Sequence, residues 1–140
     1  MTANELLNKQ LADVSYQLDK VLDGVSESDL DFKSCPTAMS IPETVEHLCE
    51  VYVVVEKESR GEKHSWGTYA IEDKSWSNLS SEFVRLRKVA VDIVSKAETD
   101  KEFDTALAYI LAHDYYHVGQ LASIRLATNA EWDAYSIYNH

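Results

Sequence analysis

Residues 40–60, SIPETVEHLCEVYVVVEKESR, decide the fold because they carry two opposed signals. The run VYVVVE at 51–56 is rich in β-branched side chains, which are stiff at χ1 and suit a pleated strand. Against it, Ser40-Ile-Pro-Glu43 has the form of a capping box, and Val45, Leu48, Tyr52 and Val55 recur at helical spacing. From Ile41 to about Arg60 the run is also too long for a typical strand. Cap and length together predict a helix.

Working outward, the same signals recur. Upstream, Thr2-Ala-Asn-Glu5 is a capping box, and Leu7, Leu11, Val14, Leu18 and Val21 follow at spacings of four and three, predicting a first helix that ends near Gly24. Residues 24–40 lack sustained periodicity and read as a linker. Downstream, residues 61–77 form a long polar connection carrying Trp66, Tyr69 and Trp76, with room for a short extra element packed over the bundle. A third helix is expected from about Ser80 to Ala97, with Phe83, Leu86, Ala90, Ile93 and Ala97 on one face. Thr99-Asp-Lys-Glu102 caps the longest helix, whose stripe runs through Phe103, Leu107, Ile110, His117, Leu121 and Ile124 and which ends near Asn129. The aromatic tail EWDAYSIYNH is expected to dock on the others. The fold predicted is all-α: a single domain over 1–140, a four-helix bundle with long connections after helices one and two, and helices three and four antiparallel across a short turn.

Composition narrows the function. The chain has 140 residues, 45% of them hydrophobic, enough for one real core, and only 4 Gly and 2 Pro, few for a many-stranded sheet. A net charge of −11 would repel nucleic acid and anionic membranes, and the one basic cluster, Arg85, Arg87 and Lys88, is small. No stretch approaches the roughly 20 apolar residues of a spanning helix, and the opening MTANELLNKQ has no apolar signal-peptide core, so a cytosolic protein is expected. The 2 cysteines, Cys35 and Cys49, are too sparse for a disulfide framework and read as free thiols.

Metal chemistry is suggested by histidine spacing. His113 and His117 lie four residues apart, so on a helix their rings differ by about 40° in direction and can reach one ion. A lone pair of this kind is more often two surface or core polar residues. Here His117 falls on the apolar stripe and His113 borders it, and a buried imidazole needs partners. His47, next to the buried face of helix two, can supply a third nitrogen. Three imidazoles at about 2.0 to 2.1 Å would leave positions open for water or substrate. Cys49 is about 200° from His47 around the helix and is excluded as a ligand. His64 and His140 are expected to be solvated. Glu43, Glu50 and Asp114 each have an ordinary role, in capping or on a solvated face, and alternatively could orient a ligating imidazole.

His113-Asp-Tyr-Tyr-His117-Val-Gly119-Gln120 on the last helix, with His47-Leu48 early in helix two, resembles the DinB/YfiT-like superfamily over almost the whole chain. The resemblance implies a four-helix bundle with non-standard connections, His47, His113 and His117 around a divalent ion such as nickel or zinc, and a homodimer. It also implies candidate chemistry with low-molecular-weight thiols. Gly119 is expected to serve close helix packing and Gln120 a polar contact near the site. The leading expectation is a metal-dependent enzyme, a thiol-dependent S-transferase or a hydrolase, acting on a small electrophile; catalytic and substrate-binding side chains are not identified. The alternative is a non-catalytic stress-response or interaction bundle whose histidines bind metal adventitiously. Helical metal storage or sensing ranks third.

Overall fold

The structure is a computed structural model that describes residues 1–138, so His140 lies outside the described residues. Helix α1 spans Ala3–Leu22, α2 Ile41–Ser59 and α3 Trp76–Val94. Helix α4, Asp100–Thr105, passes without a break in helical backbone into a π-helical turn, Ala106–Ala112, and on into α5, His113–Thr128. Among the described residues there is no strand, and no helix is long and apolar enough to cross a membrane. The structure is thus the all-α four-helix bundle expected.

Local chemistry explains the starts. At α2, the Ser40 hydroxyl accepts from the Glu43 N–H at 3.3 Å and the Glu43 carboxylate accepts from the Ser40 N–H at 3.2 Å. The same reciprocal pair opens α1 at Thr2 and Glu5, and α4 at Thr99 and Glu102. The β-branched run of α2 is accommodated by burial: Val51, Val54 and Val55 are at most 3% exposed. Burying a valine is worth about 1.5 kcal/mol or more, against a helix-propensity penalty of under about 0.7 kcal/mol per residue.

Chain directions follow from the contacts. The Asn4 side-chain amide donates to the Ser95 and Ala97 carbonyls just past α3, and Arg87 donates to Ser15, so α1 and α3 are antiparallel. Tyr115 meets Asp13 while Arg125 donates to the Val21 carbonyl, so α5 runs parallel to α1. Val45 shares one cleft with Trp76 and Phe83, and Val55 another with Ile93 and Val94, so α2 and α3 also run parallel. The order is up, down, down, up. Parallel neighbours require residues 60–75 to climb back along the length of α2, a strap that contains turns but no further helix or strand.

Three expectations are corrected. Helix α3 begins at Trp76, four residues early, because Ser75 is its cap: the Ser75 hydroxyl accepts from the Asn78 N–H at 3.3 Å. On its buried face Val94 replaces Ile93. Leu107 is 51% exposed while Ala106 is fully buried, because the wide π turn rotates the helix upstream of Ile110 away from the register of a regular helix. The tail does dock: the Arg125 guanidinium lies over the Trp132 ring, 5.4 Å from its centroid, and Ile137 is buried in the 3-10 turn Ala134–Tyr138.

Candidate metal centre

The six residues between the cap Ser40 and His47 bring that imidazole to the α2 face opposite α5, and the π turn delivers His113 at the first position of α5. His117 follows one turn later, 2% exposed, with His47 and His113 half-buried. Their nitrogens converge. His113 Nε2 lies 2.9 Å from His47 Nε2 and 3.1 Å from His117 Nε2, and ligand atoms of all three lie within 4.8 Å of one another. Nitrogens sharing one tetrahedral ion at about 2.1 Å would sit roughly 3.4 Å apart, close to the two shorter spacings here.

Protons alone do not satisfy this cluster. The Gln120 carbonyl lies 2.7 Å from His117 Nδ1 and takes its hydrogen, which leaves His117 Nε2 with a lone pair facing inward. His113 Nε2 faces two nitrogens and can carry one hydrogen, while its Nδ1 is buried with no partner. Charging the rings would not resolve the conflict. Burial first, then His117 and His47, pull His113 down to about 4. Burial and then His47 pull His117 down to about 4 as well, against the opposing bond to Gln120. Neutral imidazole is the form that ligates metals, so the three inward-facing nitrogens could hold a metal ion.

The surroundings differ in part from expectation. Gln120 is the polar contact expected, and it donates in turn to the Tyr116 hydroxyl at 2.9 Å. Gly119 is not a close-packing glycine: a Cβ there would meet nothing within 4 Å. Glu43 is occupied by its cap and by Lys33 at 3.0 Å. Asp114 is fully buried beside His113 but bonds away from it, accepting from Arg87 and, at 3.0 Å, from the Tyr52 hydroxyl. Burial pushes its carboxyl up to about 6, against the pull of Arg87. Cys49 is buried in the core and cannot reach the cluster, as its helical angle requires. Burial drives its thiol up to about 12.

His64 is not solvated. Its side chain is 3% exposed, with Nε2 2.8 Å from Glu50 Oε2 and Nδ1 3.2 Å from Lys57 Nζ. Glu50, on α2, is therefore buried beneath the strap and engaged by it. Burial raises its carboxyl, but the bonds from His64 and the Gly67 N–H outweigh this and hold it below the usual carboxylate value.

Sequence reasoning also missed Arg87, grouped with a surface basic cluster. It lies 7% exposed beneath the site, donating to Asp114, Tyr52 and Ser15 and tying all the long helices together. Its signal was present: Arg87 stands four residues after Phe83 and three before Ala90, on the buried stripe. No family model, curated protein or solved structure matches the chain.

Proposed function

We propose that this protein is a metal-dependent enzyme of the DinB/YfiT-like kind, in which His47, His113 and His117 hold one divalent ion, nickel or zinc, for thiol transfer or hydrolysis on a small electrophile. The observation that carries this reading is the convergence of three imidazole nitrogens on one point, with Gln120 fixing the tautomer of His117. Three protein ligands match the composition of catalytic rather than structural zinc sites. A bound ion would supply Lewis acidity, lowering the pKa of a thiol or water at its open positions.

The protein's own groups have distinct tasks in this reading. Gln120 holds the His117 ring in place and keeps its Nδ1 protonated, so that Nε2 is the donor atom. The buried Arg87, Asp114 and Tyr52 group anchors α5 against α2 and α3 directly beside His113, which fixes the spacing between ligands from two helices. The resemblance also supports a homodimer.

Metal content tests the reading. Protein reconstituted with Ni2+ or Zn2+ and freed of excess metal is expected to retain about one equivalent. His117→Ala and His47→Ala should each lose most of it while staying folded by circular dichroism. Wild-type protein that retains no ion, or variants that retain as much as wild type, would contradict it.

A further inference from the structure

The strap between α2 and α3 is pinned along one face of α2 by two carboxylates four residues apart. Glu46 accepts from the Ile71 N–H at 3.0 Å and from Lys74 at 2.8 Å. Glu50 accepts from His64 at 2.8 Å and from the Gly67 N–H at 3.2 Å. Gly67, at φ +81°, supplies the left-handed turn that aims its N–H at Glu50. These bonds fix Trp66, between them, across the groove from α2 to the π turn. Its indole lies nearly parallel to the Tyr109 ring, at 21° and 6.4 Å between centroids, with the His64 ring edge-on at 5.4 Å. Yet Trp66 remains 52% exposed. A large aromatic side chain held by its backbone and neighbours but left open to solvent is unusual in a strap whose other large apolar side chains, Tyr69 and Ile71, pack on the core.

Its position relates it to the histidines. Glu50 is three residues beyond His47 on α2, and Tyr109 four residues before His113 on the antiparallel helix, so both supports of the indole lie about one helical turn along the groove from the ligand pair, on the same side. We propose that Trp66 and Tyr109 form a binding surface for a planar, apolar group of the substrate whose reacting end sits at the three-histidine centre. This assignment rests on the metal-centre reading above. Trp66 supplies the open face, Tyr109 backs it, and the Glu50–His64 pair holds the indole at its angle, so Glu50 and His64 are positioning residues.

Two small chelators that differ only in their apolar part serve as probes: acetohydroxamate and benzohydroxamate, titrated calorimetrically into protein loaded with one equivalent of Zn2+. The phenyl compound should bind about tenfold more tightly, as expected for aromatic stacking added to the same chelation. Trp66→Ala should cut that preference to within about twofold with zinc content unchanged, and Trp66→Phe should keep most of it. A phenyl preference equal in wild type and Trp66→Ala, or no phenyl preference in wild type, would overturn the aromatic surface while leaving the metal centre standing. Zinc-loaded protein that binds neither hydroxamate would also overturn it, and failure to take up zinc would overturn both.

Discussion

At the scale of single residues, the roles around the cluster make opposite demands. Gln120 touches His117 and nothing in the core, so Gln120→Leu should leave the fold intact and weaken Zn2+ binding by about 10- to 100-fold, measured by competition with a chromophoric chelator. Unchanged affinity would mean that Gln120 does not hold the ring. Arg87 has a structural part, since removing it leaves the fully buried Asp114 without its cation. Arg87→Met should therefore cost about 3 to 5 kcal/mol in urea denaturation, and the double change Arg87→Met with Asp114→Leu should cost less than the single one. A double variant worse than the single would show that the pair contributes net stability. His113 and His117 were legible in the sequence because four-residue spacing on a helix is a local fact. His64 was not, because its burial depends on Glu50, 14 residues away in the chain; Arg87 stood on a legible stripe, but its partner Asp114, 27 residues on, could not be read from spacing.

At the scale of elements, the helices announced themselves through caps and stripes, and the capping box at Ser40 outweighed the β-branched run that follows it. The register of the last helix could not be read from the same periodicity. A 3.6-residue repeat carries Phe103, Leu107 and Ile110 on one face, whereas the π turn exposes Leu107 and buries Ala106. The turn ends immediately before His113, where π geometry often marks functional positions. Glutamine substitutions separate the two registers. Leu107→Gln should change stability by under about 0.5 kcal/mol, and Ala106→Gln should cost about 1 to 3 kcal/mol. The reverse order in thermal or urea unfolding would restore the regular helix and displace His113 from its place opposite His47.

At the scale of the molecule, the bundle is built around the parallel pair α2 and α3, which forces the strap and so creates the surface beside the histidines. Four helices and two long connections were evident from the sequence; the strap's path was not, since Glu46 and Glu50 look like ordinary solvated acids until Ile71 and Gly67 are placed against them. The core's integrity has a chemical readout. Cys35 is exposed, and its bonds to Thr37 and Ala38 lower its thiol pKa, while Cys49 is buried and pushed up to about 12. Iodoacetamide at neutral pH should therefore add one label to native protein, at Cys35, and a second only after unfolding in urea, as mass spectrometry would show. Rapid labelling of Cys49 in native protein would contradict the packing of α2. The central claim, one ion held by three imidazoles, is tested most directly by X-ray absorption at the edge of the bound metal. The expected result is a ligand sphere fitted by three imidazole nitrogens at about 2.0 to 2.1 Å with the remaining positions filled by light atoms, reduced to two imidazoles in His47→Ala. A sphere with one imidazole or none, or one unchanged by that substitution, would contradict the account.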